Sequence, residues 1–340
     1  MNTTATRRFH RFCLSTLVAV YVLVLIGSLV RSTGSGMGCP DWPKCFGGWA
    51  PPTRVEQLPT DYKEKYAQYR DKKNQKFARF LTAIGMKSTA DQLLADPAVM
   101  VEQDFNARKT WTEYINRVAG VIVGFMFMAL VRLSWRLRKT DPRVLQGAVA
   151  ALVIVIIQGW FGSIVVSTNL TTWTITVHML FAFVVVALLV WLMDRTGKPS
   201  STDLSPSKYL LLAGMAAILI QTLLGTQVRE VIDTVSGTLD RKDWIANTGS
   251  EFIIHRTFSW VVLGIMVMLW LKWRKMPVEK TLSVIPFLLI LCSLLSGVVM
   301  AYFAVPAVLQ PVHLALAVIS FGWFFQAFLM ANKSRGEVVK

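Results

Sequence analysis

Apolar positions gather into eight runs, roughly 12–30, 117–134, 145–166, 173–193, 208–228, 255–272, 282–303 and 307–331. Each is about the 20 residues that a helix needs to cross a hydrocarbon core with its backbone hydrogen bonds closed internally. Eight transmembrane helices are predicted. One long polar stretch, Thr33 to Thr112, breaks the series. Within it Tyr62, Tyr66, Tyr69, Phe77, Phe80, Leu81 and Ile84 recur near helical spacing among lysines and arginines. That pattern predicts an amphipathic helix lying over the outer surface, with a second helix after Thr89. The pair is either a lid or a solvated spacer. The basic N-terminus and the apolar run after it imitate a secretory leader. The run has the length of a full span, however, and no small-x-small site follows, so no cleavage is expected.

Composition agrees: 54% of the residues are hydrophobic and 16% charged, too apolar for a soluble domain of this length. The fold class is an all-α polytopic membrane protein. A net charge of +16 invites a nucleic-acid reading, but the bases are placed by topology. They cluster at Arg7, Arg8 and Arg11, at Arg132 to Arg143, at Arg195 to Lys208, at Lys272 to Lys280 and at the C-terminus, which are alternate connections. The links Ser167 to Thr172 and Ala304 to Pro306 carry no Lys or Arg. The positive-inside rule then puts both termini in the cytoplasm, places the chain in the cytoplasmic membrane and faces loop 31–112 outward. No nucleic-acid partner is expected; membrane lipid is.

The chain also repeats itself. VLIGSLVR, ending at Arg31, resembles TLLGTQVR, ending at Arg229; EYINRVAGVIVG resembles EFIIHRTFSWVVLG; TVHMLFAF resembles PVHLALAV. Two copies of a four-helix unit are predicted, residues 1–200 and 201–340, in one orientation about an axis along the membrane normal.

Of the four histidines, His10 lies in the basic N-terminal tail, and His178, His255 and His313 lie near the outward ends of spans. Ionisable residues inside a span point to function. His255 and His313, from neighbouring helices at one depth, suit axial ligation of a haem iron between bundle helices, or an interhelical hydrogen bond. Zinc lacks a third ligand here. In the first half Asn116 stands where His255 stands in the second, leaving His178 as the strong nitrogen ligand for an iron there. Glu113 and Glu251 lie one turn earlier: Thr110-x-x-Glu113 and Thr248-x-x-Glu251 read as capping boxes, and Glu113 reads equally as a carboxylate on the Asn116 face able to accept a proton. Arg31, Arg117, Arg229 and Arg256 at the outer boundary either pair with haem propionates or anchor the helices. Cys39 and Cys45 face the oxidising side, close enough for a disulfide that either staples the loop or cycles. No C-x-x-C-H is present for covalent haem. Cys13 and Cys292 read as inert packing residues.

TGSGMGCPDW after the first span, E-x-x-N-R opening the second, QGWFGSIVVSTNL in the third, VHMLFAF in the fourth, HR opening the sixth and VHLALA in the eighth together resemble the haem A synthase family. The resemblance implies an oxidoreductase that converts the C8 methyl of haem O through an alcohol to the formyl group of haem A, for cytochrome oxidase. It implies a haem b cofactor between His255 and His313, with Arg256 and Arg229 beside it. It implies haem O as substrate in the first half, near His178, Asn116, Arg117 and Arg31, with Glu113 catalytic and Cys39 and Cys45 as the loop cysteine pair. Implied partners are haem O synthase and cytochrome oxidase assembly proteins. Many members have E-x-x-H-R where this chain has Asn116. The other functions that fit the same histidines are a b-type membrane electron carrier and a haem transporter or chaperone.

Overall fold

The computed structural model describes residues 4–97, 103–198 and 202–333. Ten α-helices account for most of them: α1 Thr4–Ser32, α2 Tyr62–Ala83, α3 Lys87–Ala95, α4 Ala107–Ser134, α5 Pro142–Ser167, α6 Thr172–Thr196, α7 Lys208–Val235, α8 Gly249–Trp273, α9 Lys280–Tyr302 and α10 Leu309–Lys333. Eight are long and apolar enough to cross a membrane, and α2 and α3 lie in the polar stretch. The boundary expected at 200/201 and the C-terminal bases beyond Lys333 lie outside the described residues.

Helix ends depart from the hydropathy pattern where side chains set them. Helix α4 begins at Ala107 rather than near 117, because the Asn106 side chain accepts from Lys109 N at 3.1 Å and caps it. Glu113 is therefore interior to the helix and the expected capping box does not form; Thr110 Oγ1 donates instead to the Gly38 carbonyl at 2.9 Å. Thr248 does not cap α8 either, its hydroxyl donating back to the Ile245 carbonyl at 2.7 Å. Asp141 caps α5 in front of Pro142, whose missing N–H is no loss at a first position. The short turns α5–α6 and α9–α10 share one device: two consecutive left-handed residues, Asn169 and Leu170 in the first, Ala304 and Val305 in the second. In each the second of them returns its N–H five residues back, to Val165 and to Met300, both at 2.9 Å. Such turns satisfy carbonyls that the helix end leaves without an intrahelical partner.

Helices α1, α4, α5 and α6 pack in a ring, as do α7, α8, α9 and α10; α1 and α6 meet α10, and α6 meets α7, across the seam between the rings. Leu189, Leu192, Leu211, Met266, Leu269 and Phe324 are fully buried in one core that runs through both rings. In lipid the association of helices rests on close packing rather than on water exclusion, which is where glycine matters. A Cβ at Gly214 would lie 2.2 Å from Cε1 of Phe324, and one at Gly322 would lie 2.3 Å from the Tyr21 hydroxyl. Cys13 is buried, its thiol toward the Leu189 carbonyl, whereas Cys292 faces outward. His10 closes the end of α6 through Met193 O and Thr196 Oγ1. Gly214→Ala is expected to lower stability by about 1–3 kcal/mol through overpacking. Gly264→Ala, where a Cβ meets nothing within 4 Å, is expected to leave it unchanged; thermal unfolding in detergent compares the two.

Candidate functional site

In the second ring, His255 of α8 and His313 of α10 bring their ring centres to 6.3 Å, with planes at 63°. Glycines make the room: Gly225 of α7 lies 3.2 Å, as a would-be Cβ, from His255 Cε1, and Gly297 of α9 lies 3.3 Å from His313 Cε1. His313 Nδ1 sits 2.9 Å from both the Ser293 carbonyl and the Ser296 hydroxyl. A carbonyl only accepts, so Nδ1 carries the proton and Nε2 is left as a bare electron pair, the tautomer that a metal requires. The spacing fits one metal between two imidazoles, since metal–nitrogen bonds of about 2 Å and about 1 Å from each nitrogen to its ring centre sum to about 6 Å. Gln221 donates to the His255 carbonyl at 3.0 Å, while its Oε1 and the Arg229 Nε are buried with no hydrogen-bond partner. These residues fit a bis-imidazole haem.

The first ring repeats the seating. Gly162 of α5 lies under His178 of α6 at 3.4 Å, and Gly27 of α1 lies 3.6 Å from Asn116 Oδ1 of α4. Three polar atoms in this ring are buried without a hydrogen-bond partner: Asn116 Oδ1, Gln158 Oε1 and His178 Nδ1. Gln158 Nε2 approaches His178 Nε2 at 3.4 Å; an amide nitrogen only donates, so Nε2 is the accepting nitrogen here. Clustered orphans in an apolar bundle mark a place for a polar ligand.

Glu113, one turn above Asn116, is 3% exposed and fully engaged. Its carboxylate accepts the Cys39 N–H at 2.8 Å and two donors of Arg117. Arg117 then donates to three loop carbonyls, Asp41 (2.5 Å), Lys44 (2.9 Å) and Cys39 (2.7 Å). Cys39 and Cys45 are joined by a disulfide. Gly38 crosses α4 so closely that a Cβ would sit 2.7 Å from the Lys109 carbonyl, one reason the stretch is rich in glycine. Asp41 closes the loop by accepting from Phe46 N and Gly47 N.

The remaining arginines part company. Arg31 and Arg229 share Asp233, at 2.9 and 2.6 Å, and Arg229 also reaches Gln310 Oε1 at 2.5 Å. Arg256 lies over the Phe252 ring. Sequence reasoning passed over Gln158, Gln221, Ser293, Ser296 and Asp233. An amide within a span was the available sign for the glutamines, and the four-residue step from Arg229 was the sign for Asp233.

Helix α2 covers the first ring. Phe77 stacks on Trp173 (6.0 Å, 9°) and meets Phe161, which meets Phe181. Lys73 donates to the Ser163 carbonyl and Asn74 to the Ser167 carbonyl, at 2.9 and 2.7 Å, satisfying the end of α5. Phe46 of the disulfide loop packs edge-on against Tyr62 and Tyr66. Loop and helix form one roof, so the lid reading holds over the spacer. Helix α3 begins at Lys87, slightly ahead of the expected Thr89.

Two consequences are measurable. Glu113→Ala removes one partner of a buried ion pair, a change of about 3–5 kcal/mol, and is expected to speed reduction of the Cys39–Cys45 bond by dithiothreitol, read by thiol alkylation. Burial first, then the Arg117 charge, lowers the Lys73 amine from 10.5 to about 8, against the opposing pull of Asp41. Between those values the docked helix binds fewer protons than the released one, so docking strengthens as pH rises from about 8 toward 10.5. Proteolysis of α2 by subtilisin should slow over that range, and Lys73→Met should flatten the dependence.

Comparison with known proteins completes the picture. The model of the COX15-CtaA family, described as cytochrome oxidase assembly protein, matches residues 10–84 and 86–325. Among curated proteins the chain is similar to the heme A synthase of Flavobacterium johnsoniae, at 21% identity over 89% of this chain and 92% of that one. It is similar to the heme A synthase of Ruegeria pomeroyi at 25% identity, over 93% and 88%, and to that of Geobacillus thermodenitrificans at 21%, over 97% and 93%. With eight membrane-length helices, paired histidines at glycine seats and a family match along nearly its whole length, the chain is a multi-pass membrane protein of the COX15-CtaA cytochrome oxidase assembly family.

Proposed function

We propose that this chain is a haem A synthase: it takes haem O into the ring of α1, α4, α5 and α6 and oxidises its C8 methyl to a formyl group. The observation that carries the reading is the pairing of two similar seats with unequal ligands. Gly225 and Gly297 seat His255 and His313; Gly27 and Gly162 seat Asn116 and His178. The matched seats and the matched left-handed turns support two copies of one four-helix unit, residues 1–200 and 201–340.

Methyl and water give the alcohol with loss of two electrons and two protons, and the alcohol gives the aldehyde with loss of two more of each, the electrons passing to an external acceptor. A haem b held by His255 and His313 supplies one-electron relay chemistry when bound. Ser293 and Ser296 hold His313 in the required tautomer. In the substrate ring His178 offers one strong nitrogen, and Asn116, a poor iron ligand, leaves the opposite side of the substrate without a second imidazole. Glu113 acts as a positioning residue: its carboxylate, already accepting from Cys39 and Arg117, holds the roof over the substrate ring. Of the outer arginines, Arg256 lacks a carboxylate partner among the described residues and is assigned to a propionate. Arg31, Arg117 and Arg229 orient the site through Asp233 and Glu113. The basic connections and the disulfide on the opposite face support a cytoplasmic membrane with both termini inside. Haem O synthase and cytochrome oxidase assembly proteins are the partners that the reading implies.

Deleting the gene from its host and chromatographing the extracted haems tests the reaction: haem O should accumulate and haem A disappear. Unchanged haem A would return the chain to electron carriage or haem transport. In the purified protein, His255→Ala or His313→Ala should each remove a low-spin bis-imidazole spectrum. For Glu113, the order Ala well below Gln, with Gln partly active, supports positioning; Gln as inactive as Ala assigns the residue to proton transfer.

A further inference from the structure

At the end of the bundle away from the roof, α1 and α4 leave an open cavity of about 680 Å³, lined chiefly by Arg7, Arg8, Arg11 and Arg132, with Ser15 and Ala129 at its floor. The helices that carry these charges bring no acid of their own to this end: the sequence has no Asp or Glu from Met1 to Pro40 or from Tyr114 to Thr140. Among the described residues none of the four guanidiniums has an ion pair, hydrogen bond or ring contact. Some other bases on the same face are neutralised, Arg195 by Asp141 and Lys333 by Asp194, or stacked, as Arg138 is on Trp135 and Arg274 on Trp270; what sets the four apart is that they converge on one cavity. Further along the same two helices, toward the membrane centre, Val18 and Val22 of α1 and Phe125 and Met128 of α4 are exposed apolar side chains.

We infer that this cavity is a binding site for an anionic phospholipid, its phosphates held by Arg7, Arg8, Arg11 and Arg132 and its acyl chains lying in the α1–α4 furrow. Guanidinium forks suit phosphate oxygens, and four of them match two phosphates. The furrow selects a lipid over a free anion, because only a lipid covers apolar surface and charge together. Basic pockets between helices at this level are suited to such headgroups.

The test uses the full chain reconstituted in phosphatidylcholine vesicles carrying a minor fraction of diphosphatidylglycerol, extracted in mild detergent and analysed by native mass spectrometry. One diphosphatidylglycerol per chain should survive extraction. Retention should fall about tenfold in Arg11→Gln/Arg132→Gln and stay near wild type in Arg136→Gln/Arg143→Gln, which removes the same charge from the same face outside the cavity. Equal loss in both variants would reduce the effect to general belt charge and overturn the site. Displacement by inorganic pyrophosphate would make it an anion site, and displacement by haem a substrate entry; either overturns the lipid assignment. Both variants change exposed side chains, and unchanged helicity by circular dichroism confirms that folding is not being read.

Discussion

The Glu113–Arg117 ion pair joins the membrane bundle to everything above it. A carboxylate buried this deeply in α4 is tolerable only with several donors, and Arg117 and the Cys39 N–H supply them. The guanidinium has donors left over, and their acceptors are the carbonyls of residues 39, 41 and 44. Those bonds fix where the disulfide loop runs. The loop presents Phe46 to α2, and α2 in turn closes the ends of α5 through Lys73 and Asn74. Each layer depends on the one beneath it, down to that single pair.

Below the roof the two rings differ in how firmly their imidazoles are set. His313 has two oxygen neighbours for Nδ1, so its orientation is fixed before any ligand arrives. His178 has a glutamine amide at Nε2 and a buried Nδ1 without a hydrogen-bond partner. A rigid seat suits a group that stays; a seat whose polar atoms gain partners only on binding suits one that comes and goes.

Much of this was legible in the sequence. Span number followed from run length, and the histidines stood out because imidazole is rare inside a span. The cysteine pair was legible from its side of the membrane and close spacing. Helix starts were not legible where a cap such as Asn106 overrides hydropathy and carries α4 outward beyond its apolar part. That extension moved Glu113 from a helix cap to an interior latch. Nor does hydropathy show pairings across the seam, such as Arg31 with Asp233, since the partner lies about 200 residues away and depends on three-dimensional packing. The orphaned amides of Gln158 and Gln221 were visible as letters, but only coordinates show them facing the imidazoles.

The seats themselves bear on how the two rings came to differ. Gly27 stands beneath Asn116 much as Gly225 stands beneath His255, so the backbone of either ring accepts either side chain. Codons for asparagine and histidine differ at a single base. With this geometry an exchange of asparagine for histidine needs no remodelling of helices: a single base change alters how many imidazoles a ring presents and leaves its backbone as it was.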